Sequence, residues 1–107
     1  MNDQVKETIR FIVRALSVSD VQSLLEKGLL NLDEVDGTFE AIRQYGNHLI
    51  DIPSDGWSLV DVYFINGQKE VYDIDVPLWT KEEGRSDLML KIHVNHGTIK
   101  ILDILVP

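Results

Sequence analysis

Cysteine is absent from this 107-residue sequence, which excludes a disulfide framework, a thiol nucleophile and a cysteine metal site. Proline is scarce, at three residues, and no apolar run approaches the roughly 20 residues that a membrane-spanning helix requires. The first seven residues also lack the apolar core of a signal peptide. These absences predict one soluble domain, residues 1–107, that resides in the cytoplasm and makes no contact with a membrane.

Basic residues are also few, and one part of the chain holds far fewer basic than acidic residues. Residues 33–83 hold twelve acidic and three basic residues, whereas the rest of the chain is close to neutral. An acidic field of this kind repels nucleic acid and anionic lipid and attracts cationic partners. The charge pattern therefore argues against direct nucleic-acid binding and favours a basic protein partner. A solubilising surface is the alternative, because small acidic domains often carry charge for no other purpose.

Apolar residues recur at helical spacing in the first 45 residues, which predicts three helices. A short second helix is expected to have Ser19 as its N-cap and to end at Gly28. A third helix is expected from about Asp33 to Tyr45, with Gly46 as its terminator. The first helix has an apolar face that comprises Val5, Ile9, Ile12, Val13 and Leu16.

From His48 onward the apolar period changes from 3.6 to 2, which indicates strands. A short strand is expected at residues 48–52 and a longer one from about Trp57 to Ile65, followed by three more. Because the helices precede the strands, the sequence predicts an α+β domain with three helices on the concave face of a curved antiparallel sheet of four to five strands. The residues expected to face the helices include Tyr72, Ile74, Val76, Leu78, Leu88, Leu90, Ile92 and Val94.

The alternation of side chains also predicts how the second and third strands pair. A two-residue loop at Asn66-Gly67 would bring apolar and acidic faces together, so we expect an odd loop, such as residues 66–68, or a bulge beside it. This register sets Val62 opposite Tyr72 and Asp61 opposite Asp73. Two like charges that face each other across a ladder are destabilising.

The last hairpin is expected to need no such adjustment at its turn. A two-residue loop at His96-Gly97 pairs Val94 with Ile99, which are both apolar. Farther along the last strand the pattern of inward and outward residues breaks. A bulge near Leu102 and Asp103 would restore it, and the alternative is that this end of the strand is covered on both faces.

The polar connection between the two central strands is expected to turn at Gly84. Arg85 lies within reach of Glu82, Glu83 and Asp87 in the sequence. Its guanidinium is therefore expected to hold the shape of the connection through charge-assisted hydrogen bonds.

The sequence carries little catalytic chemistry. His48, His93 and His96 are expected at a strand start, on an outward strand position and in a tight turn, where each is a surface residue. A metal site on the last two would need a carboxylate partner that the spacing does not identify. No phosphate-binding glycine loop, nucleophile elbow or Cys-His set is present. We therefore expect no enzyme activity, no metal and no cofactor.

Acidic and aromatic residues together indicate a surface for a protein partner. An indole beside carboxylates is a common anchor for a lysine or an arginine, although Trp57 and Trp79 can also be read as plugs at the ends of the core. Tyr63 is out of phase with its apolar neighbours and is expected to be exposed. The residues predicted to bind the partner are Asp61, Tyr63, Asp73, Asp75, Trp79, Glu82 and Glu83.

The segment from Leu78 to Leu88, which reads Leu-Trp-Thr-Lys-Glu-Glu-Gly-Arg-Ser-Asp-Leu, and the closing segment Ile101 to Val106 resemble a family of small bacterial proteins that share these motifs. The resemblance covers the C-terminal third by motif and the helices by pattern alone. The order of elements is also similar to the nuclear transport factor 2-like cone folds. A small, acidic, cysteine-free chain of this kind further resembles the immunity proteins of contact-dependent growth inhibition, which neutralise toxic nuclease domains delivered by neighbouring cells.

These resemblances imply two functions of different classes. As an immunity protein, the chain would cover the basic surface of a cognate toxin, a ribonuclease domain, with carboxylates that stand where phosphates would stand. As a cone-fold protein, it would be an enzyme or a small-molecule binder with a cavity between helices and sheet. The apolar inward positions offer almost no polar group to orient a substrate, so the charge distribution favours the first. The identity of the toxin and the oligomeric state stay open, with a monomer favoured.

Overall fold

The computed structural model describes all 107 residues, Met1–Pro107, as three helices followed by five antiparallel strands. The helices pack on a curled half-barrel of strands, so the predicted α+β class is confirmed. Two 3₁₀ segments, Leu32–Glu34 and Ser54–Leu59, lie between these elements. The elements are α1 (Asp3–Ser17), α2 (Val21–Glu26), α3 (Val35–Tyr45), β1 (Leu49–Ile50), β2 (Asp61–Phe64), β3 (Val71–Thr80), β4 (Gly84–Asn95) and β5 (Thr98–Leu105).

The first two helices begin at side chains that satisfy free backbone N–H groups. Asn2 caps α1, because its Oδ1 accepts a hydrogen bond from the Val5 N–H at 2.8 Å. Asp20, and not Ser19 as expected, caps α2 by accepting hydrogen bonds from the hydroxyl and the backbone N–H of Ser23, which lower the pKa of Asp20. Ser19 instead lies in the preceding turn with a φ of 55°.

The second and third helices end at the glycines that the sequence indicated. Gly28 follows α2 with a φ of 68° and Gly46 follows α3 with a φ of 85°. In this left-handed conformation a glycine lets the chain leave a helix without a clash at Cβ. The apolar face of α3, which includes Phe39 and Ile42, packs against the core.

One core fills the space between the helices and the sheet. The strands are ordered β1-β3-β4-β5, and β2 pairs with the same edge of β3 as β1 does, nearer the start of β3. Alternate residues of β3 and β4 point to the helices, and we call this side the inner face and the opposite side the outer face. Fully buried residues on the inner face and on α1 include Ile9, Ile12, Ile74, Val76, Leu78, Leu90 and Ile92.

The pairing of β2 with β3 corrects the expected register. Val62 lies opposite Ile74 and Asp61 lies opposite Asp75, which is two residues away from the predicted partners. The loop has the predicted odd length but contains five residues, 66–70, because the Ile65 N–H bonds to the Val71 carbonyl and closes the hairpin there. A slip of two residues keeps every side chain on its face, so the alternation alone does not detect it.

The strand expected from about Trp57 is also shorter than predicted. Residues Ser54–Leu59 form a 3₁₀ segment, and β2 begins only at Asp61. Gly56 in this segment lies against the side chain of Trp79, where an added Cβ would come within 3.0 Å of the indole. The 3₁₀ segment therefore packs over the ring of Trp79 at the edge of β3.

The last hairpin has the predicted geometry. Val94 pairs with Ile99 across a two-residue turn at His96-Gly97. Leu102 is the extra residue of a bulge in β5, since Lys91 pairs with Asp103 whereas Ile92 pairs with Ile101. The bulge turns Ile104 inward, where it is buried, and leaves Asp103 exposed.

A second irregularity, which the alternation of side chains does not indicate, lies where β3 meets the start of β4. Trp79 pairs with Arg85 and Pro77 pairs with Met89, so β4 carries two additional residues between these pairs. Ser86 occupies the bulge and is buried. The Ser86 Oγ donates a hydrogen bond to the Leu78 carbonyl at 2.8 Å and accepts one from the Leu88 N–H at 3.2 Å. This side chain therefore replaces ladder hydrogen bonds that the bulge interrupts.

Candidate partner-binding surface

Four of the seven predicted partner-binding residues lie together on the outer face. Asp61 is opposite Asp75 and Tyr63 is opposite Asp73, so neighbouring strands bring the four side chains into one patch. We call Asp61, Tyr63, Asp73 and Asp75 the β2–β3 acidic face. Because β2 lies at the edge of the sheet, this patch reaches the rim of the molecule.

The two carboxylates that β3 contributes lie on the outer face as predicted, but each has a basic partner. The Asp73 Oδ1 lies 2.6 Å from the Nδ1 of His93, and the Asp75 Oδ1 lies 3.0 Å from the Nζ of Lys91. Both bases stand on β4 directly opposite their partners. The expected pair of Asp61 and Asp73 does not form, because Asp61 lies opposite Asp75, whose charge is partly neutralised by Lys91.

Asp61 is the carboxylate of the β2–β3 acidic face that has no cationic partner. It is exposed, and its Oδ2 lies 3.5 Å from the hydroxyl of Tyr63. The charge of Asp61 is the main reason that the pKa of Tyr63 is raised, with smaller contributions from desolvation and Asp75, while Lys91 opposes the shift. The potential at the tyrosine hydroxyl therefore stays negative despite the nearby lysine.

Two aromatic side chains stand exposed on β2. Tyr63 is 51% exposed on the outer face. Phe64 lies on the inner face opposite Tyr72 but is 60% exposed at the rim, with its ring centroid 5.5 Å from that of Tyr72. Exposed aromatic side chains next to unpaired charge are typical of protein interfaces.

Glu82 and Glu83, two further predicted contact residues, are engaged within the chain. Glu82 accepts hydrogen bonds from the backbone N–H and the Nδ1 of His48, which lower the pKa of Glu82. Glu83 accepts hydrogen bonds from the hydroxyl of Tyr45 and the amide of Asn47. Both carboxylates thus fasten the segment between α3 and β1 to the turn after β3, and the structure does not bring them to the β2–β3 acidic face.

The tryptophans also make contacts within the chain. Trp79 is half-buried against Gly56, and the ring of Trp57 lies beneath two cations of α1, Lys6 at 4.9 Å and Arg10 at 5.2 Å. The Nε1 atoms of both indoles are buried without a hydrogen-bond partner. The cations that Trp57 contacts therefore belong to α1 and not to a partner. The one sign of this in the sequence is that Lys6 and Arg10 are spaced to lie on the same face of the helix.

The predicted role of Arg85 is wrong. Its side chain is exposed and forms no ion pair with Glu82, Glu83 or Asp87. It lies instead beside Pro77 at an open cleft on the outer face. The glutamates point to residues 45–48, so the guanidinium has no carboxylate partner in the turn.

The histidines lie at the surface, and each also has a carboxylate partner that the sequence did not indicate. Each ring has its Nδ1 within 2.7 Å of a carboxylate: His48 with Glu82, His93 with Asp73 and His96 with Glu70. No group of three or more histidine, aspartate or glutamate side chains is placed to hold a metal ion. Each pair joins two elements that are distant in sequence, which is a structural role.

The clefts of the molecule lie on its surface. The largest has a volume of about 740 Å³ and is bounded by α1, the residues after α2 and the β4–β5 hairpin. Its lining combines Phe11 with Lys27 and Lys100, and both amines already contact groups of the chain, the Phe11 ring and Asn31. Buried aliphatic side chains occupy the space between helices and sheet where a cone-fold ligand would be expected.

The fold and the surface thus define an α+β domain whose edge strand carries an acidic and aromatic face. Residues 13–107 match the family described as domain of unknown function DUF7668, and the chain belongs to this family. No curated protein and no solved structure matches the chain. None of the helices has the length and apolar content that crossing a membrane requires.

Proposed function

We propose that this protein is an immunity protein that binds a basic toxin domain, a ribonuclease, through the β2–β3 acidic face. The observation that carries the proposal is the position of Asp61, an exposed carboxylate without a cationic partner, beside exposed Tyr63 at the edge of the sheet. A lysine or arginine of the toxin would pair with Asp61 and lie against the tyrosine ring. The carboxylates would occupy the surface on which the toxin binds the phosphates of RNA.

The energetics of such an interface depend on which charges lose their water. Close charge pairs in a protein interface have coupling energies of about 1.5 to 7 kcal/mol, and complementary fields raise association rates toward about 10⁸ M⁻¹s⁻¹ at low salt. Asp61 contributes a charge without a competing partner, whereas Asp73 and Asp75 already pair with His93 and Lys91. We therefore assign the largest share of the electrostatic attraction to Asp61.

The alternative function, a small-molecule binder or enzyme of the cone-fold type, has less support. It requires a cavity between the helices and the sheet, and this space is filled by the aliphatic core. The three histidines are each held by a carboxylate in a pair that joins two elements of the fold. The immunity function rests chiefly on Asp61, which has no cationic partner, and on the exposed Tyr63 beside it.

The test uses a double variant, Asp61→Lys with Tyr63→Ala, co-expressed with basic ribonuclease toxin domains, beginning with any that is encoded beside this gene. We expect the variant to lose protection of the cells and to associate at least about tenfold more slowly at low salt. Asp33→Lys is the control, because it makes the same change of charge at another exposed acid. Equal protection by the double variant and the parent would show that the interface lies elsewhere.

A further inference from the structure

The outer edge of β2 presents backbone hydrogen-bonding groups that no strand of the chain uses. β2 pairs with β3 alone. The Ile65 N–H donates to the Val71 carbonyl, so residues 61, 63 and 65 direct their backbone groups toward β3. The N–H and C=O groups of Val62 and Phe64 therefore point away from the sheet. An unpaired row of this kind is a template for another strand.

Apart from its short length, β2 lacks the lysine, proline and bulge that often protect an edge strand. It contains no lysine and no proline, and its only charged residue is Asp61, at its first position. Phe64 is 60% exposed and Tyr63 is 51% exposed, so apolar surface flanks the free backbone groups on both faces of the strand. The strand is short, which limits the number of hydrogen bonds to the four groups of Val62 and Phe64.

We infer that an extended segment of the toxin adds to β2 as a further strand of the sheet, and this inference rests on the proposed function. On the outer face the side chains of the added strand would lie beside Asp61 and Tyr63, where the potential is negative, and on the inner face beside Val62 and Phe64. The segment therefore alternates lysine or arginine with apolar residues. A second copy of this chain fits the edge less well, because each copy would bring an aspartate to the same ladder.

The first experiment measures amide hydrogen exchange in the full chain with a short peptide that alternates lysine and valine. We expect the exchange of the Val62 and Phe64 amides to slow by at least about tenfold when the peptide is bound. Two control peptides are used: one with glutamate in place of lysine, and one with the same side chains but N-methylated backbone nitrogens. Neither should protect these amides, since the first lacks the charge and the second lacks the hydrogen-bond donors.

A proline substitution provides the second test. Val62→Pro removes an N–H that points away from β3, so the β2–β3 ladder is kept, and proline is tolerated at such edge positions. Val62→Ala is the matched variant, because it shortens the side chain and keeps the N–H. We expect the proline variant to bind the peptide at least about tenfold more weakly than the alanine variant. Circular dichroism and the melting temperature report whether both variants are folded.

Three outcomes would overturn the inference. The peptide could shift the signals of Asp61 and Tyr63 without protecting the Val62 and Phe64 amides, the two variants could bind equally, or the free chain could form a dimer through β2. The neutralisation assay separates this failure from failure of the proposed function. A folded Val62→Pro variant that still protects cells, while the Asp61→Lys and Tyr63→Ala variant does not, would keep the immunity function and exclude strand addition.

Discussion

Glu82 accepts two hydrogen bonds from His48, one from the backbone N–H at 2.8 Å and one from the ring Nδ1 at 2.6 Å. The adjacent carboxylate, Glu83, is bonded to Tyr45, whose hydroxyl also accepts the Asp87 N–H. Together these contacts attach the end of α3 to the turn between β3 and β4. Glu82 and Glu83, which were predicted to bind a partner, therefore have structural roles, and the carboxylate of the predicted surface without a cationic partner is Asp61 on the edge strand.

We predict that Glu82→Gln lowers stability in a manner that depends on pH. The pKa of Glu82 is lowered below its ordinary value of 4.5, chiefly by the His48 side chain, so the unfolded chain binds the proton more tightly than the folded chain. The stabilisation is therefore present above pH 4.5 and is lost as the pH falls through the lowered pKa. Urea unfolding of parent and variant should show a difference at pH 7 that shrinks below pH 4.5. Glu26→Gln, on exposed helix surface, should show no such trend.

A pair of glycine substitutions should change stability in opposite directions. Gly56→Ala places a Cβ 3.0 Å from the Trp79 indole, so we expect a loss of about 1 to 3 kcal/mol in the free energy of unfolding. Gly37→Ala lies within α3 with nothing near the new Cβ, and we expect a gain of about 0.5 to 1 kcal/mol. Denaturant unfolding measures both. A neutral Gly56→Ala would mean that the indole moves aside without cost.

Periodicity predicted the elements of this fold wherever a side chain had to face the core. It predicted the helices, the central strands and the bulge at Leu102. The bulge was predicted because a regular last strand would turn Asp103 into the core. It did not detect the two-residue slip between β2 and β3, since that slip leaves each side chain on the same face. It also took residues 57–59 for a strand, because their turn depends on a contact between Gly56 and Trp79 across the fold.

The candidate site was predicted in part for similar reasons. Strand pairing put Asp61, Tyr63, Asp73 and Asp75 on one face, as alternation requires. The sequence did not indicate the partners of the other acids. Glu82, for example, is 34 residues from its hydrogen-bond partner, His48. Charge counting finds an acidic region but does not tell which carboxylates already have partners.

Ser86→Ala should destabilise the bulge at the start of β4. The Ser86 hydroxyl donates to the Leu78 carbonyl and accepts from the Leu88 N–H, and the side chain is only 6% exposed. Alanine would leave both backbone groups buried without a partner, which costs about 1 to 3 kcal/mol. Ser58→Ala removes an exposed hydroxyl with a single partner and should change the free energy of unfolding by less than about 0.5 kcal/mol. Equal effects of the two substitutions would show that water satisfies the bulge.

Charge reversal at the two aspartates that face each other across β2 and β3 should separate binding from folding. Asp75→Lys places a second ammonium group opposite Lys91, in a pair whose side chains are only 21% and 36% exposed. We expect it to lower the free energy of unfolding by about 1 to 3 kcal/mol, between the values typical of exposed and of buried pairs. Asp61→Lys removes no ion pair, so its melting temperature should stay close to that of the parent.

The same two variants then distinguish the groups that contact the toxin. If Asp61 is the carboxylate that pairs with a cation of the partner, Asp61→Lys should slow association at low salt while its fold is intact, and the effect should diminish as salt rises. Asp75→Lys, measured at a temperature where it is folded, should slow association less, because the wild-type charge of Asp75 is already paired with Lys91. A larger kinetic effect at Asp75 than at Asp61 would contradict this assignment, and would indicate that the toxin displaces Lys91 from its carboxylate.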